Sequence, residues 1–163
     1  MGNKRRVGIG FDAHPLTSGR RLVLGGIDIP FDKGLGGWSD ADVLTHAIMD
    51  ALLGAAARGD IGSHFPPGEP QYKGISSLVL LERVRDELAE QGWRVNNVDA
   101  TIVAERPKLR DFIDGMRHQL SQTLGIALSQ VSVKASTSDG LGFVGRGEGI
   151  AVWAIALIQG TSG

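Results

Sequence analysis

Apolar and polar positions alternate near both ends of the chain and recur at helical spacing in between. Val7, Ile9 and Phe11 alternate with Gly8, Gly10 and Asp12, which predicts a strand over residues 6–13. Arg21 to Val23 and Ile27 to Phe31 flank Gly25-Gly26 and read as a short hairpin. Residues 32–38 form a Gly-rich loop. Ser39 then offers an N-cap, with Asp42 three residues on in a capping-box-like pairing. The helix it opens runs to about Arg58, where Gly59 stops it. Val43, Ala47, Ala51 and Leu52 give this helix its apolar stripe. Asp42, His46 and Asp50 share another face, and Asp42 reads as a solvated acidic position favoured by the helix dipole.

Residues 59–74, with Pro66, Pro67 and Pro70, read as a mobile loop. A second helix follows over about 76–91, a strand over 94–105 and a third helix over about 109–124. A strand over 131–136 leads to a second Gly-rich loop over 139–147. The continuous apolar run 150–158 suits a sheet centre or a subunit interface. This order predicts an α+β fold: a single-domain, two-layer sandwich over 1–163, with a mixed sheet on one side and helices on the other.

Composition narrows the class. The 163 residues are 42% hydrophobic and 21% charged, which predicts a soluble domain with a sizeable core. A net charge of −1 argues against nucleic acid as a partner. There is no cysteine, so any metal must be held by His and carboxylate. Met1 to Arg6 is basic without an apolar stretch, and no run is long enough to span a membrane, so a cytoplasmic location is expected. The 24 glycines cluster at 25–26, 34–37 and 140–149, as loop chemistry would require.

Strand alternation puts Asp12 and His14 on one side, at a strand end. His46 lies about one turn inside the first helix. If that helix abuts the strand end, the three residues make a metal set that leaves a zinc coordination position for substrate. Gly34 to Ser39 leads into a helix N-terminus, a geometry that receives phosphate. Ala135 to Asp139 offers consecutive hydroxyls for phosphate and a carboxylate for Mg²⁺, although such a run is also an ordinary polar turn. Glu105 to Leu109 reads as a plain strand-to-helix corner.

Along nearly its whole length the chain resembles the 2-C-methyl-D-erythritol 2,4-cyclodiphosphate synthase family of the non-mevalonate isoprenoid pathway. The resemblance rests on Gly8-Ile9-Gly10-Phe11-Asp12-Ala13-His14, on Ser39-Asp40-Ala41-Asp42-Val43 with His46, and on Asp50-Ala51-Leu52-Leu53-Gly54-Ala55-Ala56. It continues through Gly59-Asp60-Ile61-Gly62 with Phe65-Pro66, Tyr72-Lys73-Gly74, Pro107-Lys108-Leu109, Val133-Lys134-Ala135, Leu141-Gly142-Phe143 and Gly145-Arg146-Gly147-Glu148-Gly149.

The resemblance implies a phosphorus–oxygen lyase that forms a cyclic diphosphate from a cytidine diphosphate substrate and releases CMP. It implies a homotrimer with active sites between subunits, and Zn²⁺ on Asp12, His14 and His46. It implies Mg²⁺ or Mn²⁺ on Asp139, with Thr137 and Ser39 at the phosphates and Asp50 supporting His46. Lys108, Leu109, Ala135 and Ser136 would surround the cytidine, Asp60, Ile61 and Gly62 would line the methylerythritol pocket, and Lys73, Phe143 and Arg146 complete the substrate contacts. Arg146 and Glu148 would face an isoprenoid diphosphate in the trimer axis. The chain departs from the family pattern at Trp38 (usually His), Pro67 (usually Asp), Ser136 (usually Thr) and Asp139 (usually Glu).

Overall fold

Strand β1 (Arg5–Ser18) forms where the alternation predicts and continues five residues beyond it. The computed structural model describes residues 4–161. Residues 1–3, the start of the basic stretch, and 162–163, the end of the expected domain span, lie outside the described residues. The hairpin forms as β2 (Leu22–Leu24) and β3 (Ile27–Ile29), with Leu22 opposite Ile29. The Gly-rich loop that follows contains a short strand, β4 (Lys33–Leu35), paired with the far end of β1.

Helix α1 (Val43–Ala55) begins later than expected, because its N-cap is Asp42 and not Ser39. The expected loop 59–74 holds α2 (Ile61–His64) and a 3₁₀ turn (Pro70–Tyr72). Then come α3 (Ser77–Glu90), β5 (Trp93–Val103), α4 (Ile113–Leu124) and β6 (Val131–Ser136). Within the second Gly-rich loop, residues Gly142–Gly145 form the short helix α5, before β7 (Gly149–Gly160).

Five strands pair in the order β4-β1-β7-β5-β6. The sheet is mixed: β7 runs antiparallel to both β1 and β5, while β5 and β6 are parallel. The apolar run 150–158 is therefore a sheet centre. The helices cover one face, where Leu44, Ile48, Leu52, Leu81, Val84, Ile102 and Val152 are fully buried in one core.

The alternation of β1 has an unexpected sense. Its apolar side points away from the helices: Val7 is 67% exposed and Ile9 65%, alongside Phe11, Trp153 and Ile155. Its glycine side is what α1 packs on. A Cβ on Gly8 would lie 2.1 Å from the Ala51 carbonyl oxygen, and one on Gly10 would lie 1.9 Å from that of Ala47. Backbone meets backbone there, at the small residues Ala47, Ala51 and Ala55 of the helix. Two β-glycines, a weakness in most strands, here set the helix-to-sheet distance.

Asp42 corrects a second expectation. It is fully buried, not solvated. Its carboxylate accepts from the backbone N–H groups of Gly25 (2.9 Å), Gly26 (2.8 Å) and Thr45 (3.0 Å), and from the Thr45 hydroxyl (2.7 Å). It clamps the β2–β3 turn to the start of α1. Burial and the nearby Asp40 charge push its carboxyl above the usual range, and these donors oppose the push.

Gly10→Ala should destabilise the fold by about 3 kcal/mol, because the added methyl has no room short of moving α1. Thermal unfolding of the variant beside Gly54→Ala, whose added carbon would meet only the Ile9 carbonyl oxygen at an ordinary 3.8 Å, checks this.

Candidate metal centre

Packing of α1 on β1 brings His46 over the strand end that carries Asp12 and His14. Asp12 Oδ2 lies 2.9 Å from His14 Nε2 and 3.1 Å from His46 Nδ1, and the two nitrogens are 3.2 Å apart. The Asp12 and His14 side chains are only 25% and 17% exposed. His14 Nδ1 donates to the Gly36 carbonyl at 2.7 Å, an acceptor that keeps a proton on Nδ1 and makes Nε2 the nitrogen a metal would take. Three lone-pair donors converge at separations near the edge of a tetrahedral site, about 3.3 Å for bonds of about 2.0–2.1 Å. Atoms of that kind repel one another unless a cation lies between them, so the residues fit a divalent metal.

Electrostatics agree. Burial raises the Asp12 carboxyl, but hydrogen bonds from His14 and His46 outweigh it and hold the group well below the usual range. Burial lowers the His14 imidazolium, and the Asp12 hydrogen bond and charge more than reverse that, so it holds its proton above pH 6.5.

The centre opens into a cavity of about 200 Å³ lined by Trp38, Ser39, Ile61, Gly62, Phe65, Pro67, Tyr72 and Leu80. Trp38 forms part of its wall, and residues 69–75 are seamed to the segment that carries it. Its indole N–H donates to the Glu69 carbonyl at 2.8 Å, Gly74 N–H to the Trp38 carbonyl at 2.9 Å, and Asp40 N–H to the Ile75 carbonyl at 3.0 Å. The stretch read as a mobile loop is thus tied down along one side. Lys73 sits 5.9 Å above the Trp38 ring. Asp60 caps α2 through the N–H of Ser63.

Two expected roles change. The N-terminus of α1 is buried and capped by Asp42, so it is no phosphate site. Asp50 accepts from the Ile61 N–H at 2.8 Å and holds α2, whereas His46 is supported by hydroxyls. Its Nε2 lies 2.9 Å from Ser77 Oγ and 3.2 Å from Ser39 Oγ, and Ser77 donates to Asp40 Oδ1 at 2.5 Å. Sequence reasoning missed Ser77. A Ser-Ser pair at a helix start reads as a cap, and nothing in it signals a histidine 31 residues away.

A second groove, about 510 Å³, is lined by Pro107, Lys108, Leu109, Ala135, Ser136 and Thr137 among others. It shares no lining residue with the metal cavity. Beside it, Asp139 sits in an exposed turn at φ 53, with the Thr137 hydroxyl 3.4 Å from its Oδ1. Glu105, read as a plain corner, holds that turn: its Oε1 accepts from Ser138 N–H (2.9 Å), Ser138 Oγ–H (3.1 Å) and Gly140 N–H (3.3 Å). Phe143 and Arg146 lie in and just after α5, and Arg146 pairs with Glu148 at 2.8 Å. The described residues of one chain therefore carry the metal centre and the hydroxyl-rich groove as separate cavities.

Fold and site together define a small α+β protein with an Asp-His-His group that could hold a metal ion. The sequence model of the YgbB family matches residues 5–159, and the chain belongs to that family. It is 63% identical over 154 residues to the 2-C-methyl-D-erythritol 2,4-cyclodiphosphate synthase of Dehalococcoides mccartyi strain CBDB1, covering 94% of this chain and 98% of that protein. It is 60% identical to the protein of the same name from Pelotomaculum thermopropionicum, covering 96% of each. Among solved structures, it matches an IspF–CDP complex from Plasmodium falciparum with a TM-score of 0.86 and 30% identity, over 99% of this chain and 100% of that one. It also matches the bifunctional IspDF of Campylobacter jejuni with a TM-score of 0.95 and 37% identity, over 99% of this chain and 44% of that longer one.

Acid and base should each weaken the metal-free protein, through different groups. Asp12 contributes stability above its unfolded value of 3.8, lost as pH falls through its lowered folded value. His14 contributes stability below 6.5, lost as pH rises through its raised folded value. Metal-free protein should therefore be most stable between those limits and weaken toward pH 8, while zinc affinity falls about tenfold per pH unit on acidification below the His14 value. Denaturant melts and zinc titrations across pH 5–8 measure both.

Proposed function

We propose that the chain is a 2-C-methyl-D-erythritol 2,4-cyclodiphosphate synthase, acting as a homotrimer with Zn²⁺ on Asp12, His14 and His46. The observation that carries this reading is the convergence of those three donors beside a pocket, in a chain so close to proteins of that name.

The substrate would be 4-diphosphocytidyl-2-C-methyl-D-erythritol 2-phosphate. An oxygen of its 2-phosphate attacks the β-phosphorus, the bond from that phosphorus to the bridging oxygen breaks, and CMP leaves with the electron pair. The substrate supplies its own nucleophile, so the protein's work is to hold both ends in line and offset charge. Zinc, when bound, would supply Lewis-acid polarisation and charge neutralisation at the diphosphate.

The remaining tasks fall to the chain. Ile61, Gly62, Phe65 and Tyr72 give the metal cavity an apolar wall suited to the methylerythritol carbons, and Asp60 caps the helix that carries Ile61 and Gly62. Pro67 gives that wall no polar group for a substrate hydroxyl. Lys108, Leu109, Ala135 and Ser136 offer backbone and side-chain groups to cytidine. Thr137 would donate to phosphate, and Asp139 would hold Mg²⁺ or Mn²⁺ against it.

Because the two cavities are disjoint in one chain, the reading has each active site shared between neighbouring subunits. The exposed strip Val7, Ile9, Phe11, Trp153 and Ile155 supports an assembly, since a patch of that kind is rarely left to water. The proposal extends to an isoprenoid diphosphate in the trimer axis beside Arg146 and Glu148. It includes a cytoplasmic location. Among the described residues, no helix is long and apolar enough to cross a membrane.

Phosphorus NMR should show a cyclic diphosphate and CMP from the cytidine substrate; a linear phosphate product would refute the synthase reading. His46→Ala and Asp139→Ala should each be nearly inactive. Mixed trimers assembled at random from equal amounts of the two should recover about a quarter of wild-type activity. Mixed trimers confirmed by mass spectrometry yet inactive would rule out the shared site. Trp153→Glu should shift the assembly toward monomer, read by sedimentation velocity.

A further inference from the structure

His46 faces two ways. Nδ1 points at Asp12 and His14, and Nε2 points at two hydroxyls, Ser77 Oγ at 2.9 Å and Ser39 Oγ at 3.2 Å. A ring nitrogen that binds metal must be bare, so the other must carry the proton and needs an acceptor. Either hydroxyl serves as donor or acceptor in isolation. Their surroundings break the tie.

Ser77 Oγ lies 2.5 Å from Asp40 Oδ1, and an ionised carboxylate only accepts, so the Ser77 hydroxyl proton is committed there. Asp40 is itself fixed, by Ser77 N–H on Oδ2 at 3.0 Å and by Asp42 N–H on Oδ1 at 3.1 Å. Ser77 is fully buried, which leaves no water to compete. Its lone pairs are what remain for His46 Nε2–H. Ser39 differs. Its Oγ accepts from Ala41 N–H at 3.2 Å and touches no carboxylate among the described residues, and it lines the metal cavity.

We propose that Ser77, held by Asp40, is a positioning residue for the metal centre: it keeps the His46 proton on Nε2 and Nδ1 bare, and so leaves the Ser39 hydroxyl proton available to a phosphate oxygen of the substrate. The proposal rests on the reading of Asp12, His14 and His46 as a zinc site. The opposing pull comes from Asp12 Oδ2, 3.1 Å from Nδ1, which in the metal-free protein favours a proton on that nitrogen. Without Ser77, the Ser39 hydroxyl can donate to Nε2, and the ring settles in the tautomer that turns N–H toward the metal position. The two serines, equal at first sight, thus do different work.

Zinc affinity by chelator competition and ¹⁵N histidine spectra of the full chain test this. Wild type should bind zinc and, metal-free, show His46 predominantly protonated on Nε2. Ser77→Ala should bind zinc about 10–100-fold more weakly and shift the metal-free ring toward the Nδ1–H form. Ser39→Ala should leave zinc affinity and tautomer within about threefold of wild type while lowering kcat/KM for the cytidine substrate. Unchanged affinity and tautomer in Ser77→Ala would overturn the proposal alone, as would a Ser39→Ala variant that loses the zinc instead. If Ser77→Ala does not fold, the wild-type spectrum still decides: a metal-free His46 protonated chiefly on Nδ1 refutes the assignment. A wild type that binds no zinc overturns the metal reading and this proposal with it, and the wild-type titration registers that case separately.

Discussion

Everything at the Asp12, His14 and His46 cluster depends on how closely α1 approaches β1. The contact is backbone on backbone, made by Gly8 and Gly10 against the Ala47 and Ala51 turns. A side chain on either glycine would push the helix outward, and His46 would move with it. The donor separations of 2.9–3.2 Å leave no slack for such a shift. Packing and chemistry are therefore one constraint: small residues on a helix face set a distance that three ligands then use.

Buried carboxylates finish the work that packing starts. Asp42 fastens the β2–β3 turn to the head of α1 with four donors, which fixes where the helix begins. Asp40, two residues earlier, anchors the head of α3 through Ser77. One short segment thus docks two helices and a turn, and the hydroxyls it gathers are those that meet His46. Each polar group there has a partner, as a buried network must if it is to specify one arrangement and not weaken the core.

Trp38 shows how a departure from a family pattern is absorbed. The indole cannot offer the acceptor nitrogen of an imidazole. It instead walls the metal cavity and bonds the Glu69 carbonyl, alongside two backbone bonds that seam residues 69–75 to residues 38–40.

Local sequence determined the elements whose signals are local. The alternation of β1, the helical spacing of Leu80, Leu81, Val84 and Leu88, and the apolar run of β7 all report periodicities the backbone imposes. The ligand types were legible too, because a chain without cysteine has only His and carboxylate to offer. Tertiary structure decided the rest. Asp42 was read as solvated because its spacing on the helix is that of a polar face. The β2–β3 turn, 16 and 17 residues earlier, supplies the two long-range amides that join the local Thr45 donors and let it be buried. The outward sense of Val7, Ile9 and Phe11 follows from which face α1 chooses, and period two is blind to that. Ser77 and Glu105 act across gaps of more than 30 residues, on a histidine and on a turn that no local pattern links to them. Side-chain type and period are written in short stretches of chain. Which groups meet is settled by the fold, since hydrogen bonds depend on distances that only packing sets.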